Sequence, residues 1–112
     1  MSEREITCAI ATYLKLKGLT STHVANERNC SVRRGASLKR QGLRAGTPDF
    51  IVFSPGLKYS LLLLEVKVLK GRLSHAQIAF RDEIREKCPA IKWAVAYGLD
   101  EAIKIIEEYL NG

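Results

Sequence analysis

The sequence lacks an apolar run long enough to cross a membrane, because the longest, Leu61–Leu64, is far below the roughly 20 residues that a spanning helix needs. It also lacks internal repeats and Pro/Gly-rich low-complexity stretches. The three cysteines, Cys8, Cys30 and Cys88, are odd in number and widely spaced, which argues against a disulfide framework and a CxxC zinc site. We expect reduced, mostly buried thiols. With 46% hydrophobic residues, the 112-residue chain is predicted to form one soluble domain, residues 1–112.

Positive charge is concentrated in one stretch of the chain. The chain has 18 Lys and Arg against 12 Asp and Glu, a net charge of +6. Residues 28–48, the basic segment, contain no acidic residue and six basic ones: Arg28, Arg33, Arg34, Lys39, Arg40 and Arg44. Elsewhere the two signs balance, so this segment carries the whole excess. An Arg-rich strip interrupted by glycines suits phosphate contact, although a solvated loop explains an isolated charge run about as well.

The N-terminal residues predict a helix. Ser2 is followed three residues later by Glu5, a capping-box pattern, and Gly18 is a natural stop, so we expect a helix over residues 2–17. Its apolar residues recur at helical spacing and predict a buried stripe: Ile6, Ile10, Tyr13 and Leu14. The same N-terminal residues lack the apolar segment of a secretory signal, so we expect an intracellular protein.

The remaining elements predict an α/β fold. Four segments favour strands, the first weakly: 22–30, 49–53, 59–68 and 91–97. The short turn between the second and third predicts a hairpin. A second amphipathic helix over residues 73–87 follows a Ser74 cap and ends before Pro89, and Asp100 is predicted to cap a last helix. The order is roughly αβββαβα, with a central mixed β-sheet flanked by helices.

Two charges interrupt the second strand of the predicted hairpin. This strand is apolar on both faces, which is typical of a central strand covered on both sides. Glu65 and Lys67 are two residues apart and project from one face, while Val66 points to the other. If the turn is centred on Leu57, antiparallel pairing places Asp49 opposite Glu65.

These charges predict a cation site. Two carboxylates at cross-strand distance, roughly 5 Å between Cβ atoms, repel unless something positive lies between them. A divalent cation is the simplest occupant, oxygen ligands suit Mg²⁺, and Lys67 adds positive charge. For the Glu-x-Lys triplet alone, an ion pair at an exposed strand end is the simpler interpretation. Two observations favour the buried site: four leucines precede the triplet, and the hairpin register independently places Asp49 at the same position.

The spacing of these residues resembles a nuclease signature. Pro48-Asp49, fifteen further residues and Glu65-Val66-Lys67 resemble the PD-(D/E)XK motif of restriction-endonuclease-like nucleases. The strings GTPDF at 46–50, LEVK at 64–67 and GRLSxxQ at 71–77, in that order, resemble the VRR-NUC (virus-type replication-repair nuclease) domain. The resemblance spans nearly the whole chain.

The resemblance implies a restriction-endonuclease-like core and a phosphodiesterase that uses Mg²⁺ or Mn²⁺. Asp49, Glu65 and the backbone carbonyl of Val66 would bind the metal. Lys67 would orient the attacking water or help to activate it. Gln77 would join the catalytic residues, although a capping box with Ser74 explains it structurally.

The resemblance also implies an acidic residue of the first helix at the metal. Helical spacing places Glu3 beside the buried stripe and Glu5 away from it, so we choose Glu3. A carboxylate that complements the helix dipole explains Glu3 nearly as well. Glu5 is better explained as the capping partner of Ser2.

The expected function is therefore a structure-selective DNA endonuclease. The resemblance implies branched substrates such as Holliday junctions, in replication, repair or recombination, within a bacterial or phage-infected cell. A two-fold dimer would present two sites to the two strands that a four-way junction offers for symmetric cutting, and mainly by analogy with standalone members of the family we expect a homodimer. The competing hypothesis is a non-catalytic DNA-binding or scaffolding protein that uses the basic segment.

Overall fold

The computed structural model describes residues 1–24 and 32–112. These residues form four helices and four strands, in the order α1 (Glu3–Leu16), β1 (Ser21–His23), α2 (Val32–Arg40), β2 (Phe50–Val52), β3 (Leu61–Lys67), α3 (His75–Lys87), β4 (Ile91–Tyr97) and α4 (Leu99–Asn111). Within the described ranges, no helix is long and apolar enough to span a bilayer.

The four strands form one mixed sheet in the order β1-β2-β3-β4. The pairs β1–β2 and β2–β3 are antiparallel, and β3–β4 is parallel. The β2–β3 ladder pairs Phe50 with Leu64 and Ile51 with Leu63, so the register predicted from a turn centred on Leu57 is confirmed. The predicted α/β fold, a mixed sheet flanked by helices, is confirmed as well.

One face of the sheet packs on α1 and α4. The even-numbered side chains of β3 enter the main apolar cluster together with Ile10 of α1 and Ile106 of α4. Full burial of each such aliphatic side chain contributes about 1.5–3 kcal/mol. Of the odd-numbered side chains of β3, Leu63 and Glu65 are buried and Leu61 and Lys67 are half-buried, on the face that carries α3. The prediction of a central strand covered on both sides is therefore confirmed.

The two capping boxes are present as predicted. Ser2 caps α1 with Glu5, and Ser74 caps α3 with Gln77. The last helix differs, because Gly98 is the N-cap of α4, its φ is 99°, and no side chain caps this helix. The prediction that Asp100 caps α4 is thus wrong: Asp100 lies inside the first turn.

Three further predictions need correction. Helix α2 lies within the basic segment and is an element that the predicted order αβββαβα lacks. The weakly predicted strand is shorter, since β1 ends at His23; the part of that prediction at residues 25–30 lies outside the described residues, as do Arg28 and Cys30. Cys8 is exposed and Cys88 half-buried, so the expectation of mostly buried thiols is wrong for Cys8.

Candidate active site

Asp49 lies at the start of β2 and reaches across to β3. Its backbone carbonyl accepts from the Val24 N–H at 2.7 Å, which fixes the chain at the entry to the strand. Its side chain accepts from the Val66 N–H through Oδ2, also at 2.7 Å, and Asp49 is only 7% exposed. The carboxylate thus takes the place of a main-chain acceptor just beyond the last pair of the β2–β3 ladder. Asp49 therefore lies next to Glu65.

Glu65 is the most deeply buried charged residue of this site, at 1% exposure. Its Oε1 accepts a hydrogen bond from Gln77 Nε2 at 2.9 Å. Lys67 Nζ lies 3.9 Å from the same oxygen, which is an ion-pair distance and longer than a hydrogen bond. Glu65 and Lys67 share a face of β3, while Val66 is buried in the apolar cluster on the other face, as predicted.

Gln77 has two structural roles at once. Its Oε1 accepts from the Ser74 N–H at 2.8 Å and its own N–H donates to Ser74 Oγ at 3.1 Å, which completes the capping box. Its Nε2 is the group that donates to Glu65. The capping and site interpretations are therefore compatible, because the two ends of one amide serve different partners. The cap fixes the amide, and the amide fixes the Glu65 carboxylate.

The loop that leads into Asp49 is anchored on α3. Gly46 has φ 84° and lies against the backbone of Ala76 and Gln77, so close that a Cβ there would come 2.8 Å from the Gln77 nitrogen. Arg44 forms an ion pair with Glu83 of α3, and its guanidinium lies 5.0 Å from the centre of the Phe80 ring. The hydrogen bond from Arg44 holds the pKa of the Glu83 carboxyl below its usual value. Arg44, predicted to contact DNA, therefore makes internal contacts here.

The other cations of the basic segment lie on α2. Arg33, Arg34, Lys39 and Arg40 are all exposed. Arg33 and Arg40 are seven residues apart and share one side of the helix, because seven residues are close to two full turns. Of the three half-buried positions, Gly35 and Leu38 lie on the other side and Ser37 lies nearer the arginines. Helix α2 thus presents a cationic face to solvent. DNA contact by these residues stays a prediction.

The structure brings together Asp49, Glu65, Val66, Lys67 and Gln77, but the predicted role of Glu3 stays untested. Glu3 is half-buried in the first turn of α1, which packs on the opposite face of the sheet. Over residues 1–24 and 32–112, no three His, Cys, Asp or Glu side chains form a group that could bind a metal. Mg²⁺ commonly uses only one or two carboxylates together with waters and substrate phosphate. The buried pair of Asp49 and Glu65 fits such an ion.

Two cationic residues beside the site escaped the sequence prediction. Lys70 and Arg72 follow β3 directly and are exposed. A signal was present: residues 66–81 contain no Asp or Glu, the same acid-free criterion that identified the basic segment. This run is shorter than the basic segment and its cations are separated by the predicted helix cap, so it stands out less.

The Gln77 amide is predicted to stabilise the fold beyond its capping role. Ser74→Ala removes the side-chain cap and should lower the free energy of unfolding by about 1 kcal/mol. Gln77→Leu keeps that cap but removes the acceptor of the Ser74 N–H and the donor to a buried carboxylate, so we expect about 2 to 3 kcal/mol. Urea unfolding of both variants measures the difference. Equal losses would show that the bond from Gln77 Nε2 to Glu65 adds no stability.

The chain is similar to known proteins of one family. The model of the VRR-NUC domain family matches residues 2–100. A solved structure described as a VRR_NUC domain protein is 22% identical in sequence to this chain and superposes on it with a TM-score of 0.82. The superposition covers 99% of this chain and 91% of the chain of that structure. At that identity, the likeness shows the fold. No curated protein matches the chain.

Proposed function

This chain belongs to the VRR-NUC domain family, which is of nuclease type, and on that premise we propose that it is a metal-dependent, structure-selective DNA endonuclease. The observation that carries the proposal is the buried carboxylate pair of Asp49 and Glu65 on adjacent strands, with the Lys67 ammonium 3.9 Å from Glu65. Burying such charges costs several kcal/mol per ion, which a purely structural site has no reason to retain.

The chemistry follows from the residue types. Asp49, Glu65 and the carbonyl of Val66 would hold Mg²⁺ or Mn²⁺. When bound, such an ion polarises a phosphoryl oxygen and lowers the pKa of a coordinated water. Gln77 holds the Glu65 carboxylate in one orientation. Lys67 supplies positive charge where negative charge develops in the transition state, and it orients the attacking water.

We propose branched DNA, such as a four-way junction, as the substrate. The exposed cations of α2 suit phosphate contact, and no part of the described chain resembles a base-reading helix-turn-helix or finger module. Shape and phosphate would therefore dominate recognition. A homodimer would present two sites to the two symmetric strands of a junction. Such a protein would act inside the cell, in replication, repair or recombination.

A panel of labelled DNA substrates tests the proposal. Flap, nicked, duplex and four-way DNA are incubated with the protein in Mg²⁺, in Mn²⁺ and in EDTA, and the products are resolved on denaturing gels. We expect cutting that requires the metal and favours the four-way substrate. Sedimentation equilibrium should give the mass of a dimer. Binding without cutting on every substrate would instead support the non-catalytic DNA-binding alternative, which the cationic face of α2 also suits.

The cationic face of α2 is predicted to set the salt dependence of DNA binding. Replacing Arg33 and Arg40 by Gln should make the slope of log K against log salt concentration less steep by about 2. The matched control replaces Lys15 and Lys104, two exposed lysines on α1 and α4, by Gln as well, and we expect it to leave the slope unchanged. Fluorescence anisotropy at several salt concentrations gives the slope. Identical slopes for wild type and both double variants would place the phosphate contacts elsewhere.

A further inference from the structure

The chain makes a tight turn directly after β3, next to the candidate active site. The Gly71 N–H donates to the Val68 carbonyl at 2.9 Å, which leaves Leu69 and Lys70 at the two central positions of the turn. A Cβ built on Gly71 would lie 3.5 Å from Cβ and Cδ of Lys67. The turn therefore folds back against the Lys67 side chain, and its position relative to the site is fixed.

The backbone of this turn is strained. Lys70 has φ 68°, a left-handed conformation, and among the described residues it is the one non-glycine residue with positive φ. Side chains other than glycine rarely adopt this conformation, and it persists where surrounding contacts enforce it, often at functional sites. Glycine or asparagine would relieve the strain. The chain instead has a cation there.

The tip of the turn is apolar and exposed. Leu69 is 82% exposed, and the turn also exposes Lys70 and Arg72. A single exposed leucine needs no explanation by itself. This leucine, however, directly precedes Lys70, with Arg72 three residues after it, on a turn that contacts the proposed catalytic lysine, within a stretch of sequence that has no acidic residue. An apolar tip next to cations suits a duplex, where stacked bases lie beside rows of phosphates.

We propose that Leu69 is a wedge that opens a base step beside the scissile phosphate, while Lys70 and Arg72 contact the flanking phosphates. Apolar side chains of other proteins insert between base pairs in this way and partly unstack them. The inference rests on the proposed nuclease function and names how the same site selects its substrate. Base steps at a junction or a mismatch are already weakly stacked, so a wedge would open them most readily.

Fluorescence of 2-aminopurine detects the wedge. The base analogue is placed on either side of the mapped scissile phosphate of a four-way substrate, and the protein is added in EDTA, so that binding occurs without cutting. With wild type we expect emission to rise on binding, because unstacking relieves quenching. Leu69→Ala should abolish the rise, while Leu69→Met, which keeps an apolar tip, should retain it. Leu16→Ala is the matched control, since Leu16 is 81% exposed at the end of α1.

Cleavage rates give a second readout. On a fully paired cleavage site, Leu69→Ala should cut about tenfold more slowly than wild type, whereas a mismatch at the same step should restore the rate because it unstacks the step in advance. Equal loss on paired and mismatched sites would overturn the proposal. An unchanged emission rise in Leu69→Ala would also overturn it. A changed sedimentation of Leu69→Ala would overturn it as well, because Leu69 would then be a contact between protein chains. If wild type binds and cuts none of the substrates, the nuclease proposal itself fails, before any variant is compared.

Discussion

Replacing Glu65 with glutamine is expected to slow Mg²⁺-dependent cleavage of four-way DNA about a thousandfold and to change the Kd for the same DNA in EDTA by less than about threefold. Glutamine matches glutamate in size, so the packing at this 1% exposed position is preserved. What disappears is the negative charge that would share a metal with Asp49. We expect DNA binding to survive because the phosphate contacts of the cationic face of α2 do not involve this carboxylate.

Lys67→Met tests the positive charge of the same site. Methionine keeps an unbranched apolar stem at this mostly buried position and removes only the ammonium. We expect cleavage to fall about a hundredfold, because the charge near the reacting phosphate is lost while the carboxylates remain.

Glu86→Gln is the control for both variants. Glu86 is exposed on α3, so this substitution removes one charge outside the site. Single-turnover cleavage and fluorescence anisotropy measure rate and affinity, and circular dichroism with urea unfolding verifies the fold. Unchanged cleavage in both site variants would eliminate the catalytic assignment. Binding and cleavage lost together, with an altered spectrum, would indicate that the variants had unfolded.

The carboxylate pair could be predicted from the sequence because only local rules are needed. Strand alternation places Glu65 and Lys67 on one face, and a short hairpin leaves few registers for its two strands. The register that follows from a turn centred on Leu57 is the one observed. Once it is fixed, the position of Asp49 follows.

The surroundings of the pair could not be predicted in the same way. Helix α2 is only nine residues long and mostly polar, so it has too few apolar residues to form the long stripe that reveals α1 and α4. Arg44 and Glu83 are 39 residues apart, and their contact depends on how the loop before β2 meets α3. No local pattern carries that information, so the sequence does not predict the ion pair of Arg44 with Glu83, and DNA contact by Arg44 stays a prediction.

The start of α4 shows a second reason why part of the fold could not be predicted from the sequence. Asp100 is a good capping residue by type, and sequence rules favour it. The parallel strand β4 instead ends at Tyr97, and the next residue, Gly98, donates its N–H to the Lys67 carbonyl at 3.2 Å and is the N-cap, two residues before Asp100. Pairing with β3 thus overrides the preference for a side-chain cap.

Gly46→Ala is expected to lower the free energy of unfolding by about 3 to 4 kcal/mol, of which about 1 kcal/mol comes from the positive φ and the rest from overlap with α3. The overlap is with backbone atoms of Ala76 and Gln77, which cannot rotate away as a side chain could. The loop must therefore move. Asp49 is three residues further along this loop, and Gln77 is the residue that holds Glu65.

Gly42→Ala separates the two contributions. Gly42 also has positive φ, at 103°, but a Cβ there meets nothing within 4 Å. We expect a loss of about 1 kcal/mol at this position, from the backbone conformation alone. Urea unfolding of the two variants gives the difference, which measures how tightly the loop before β2 is pressed onto α3. Equal losses at the two glycines would show that the loop yields easily, and that the site does not depend on this contact for its geometry.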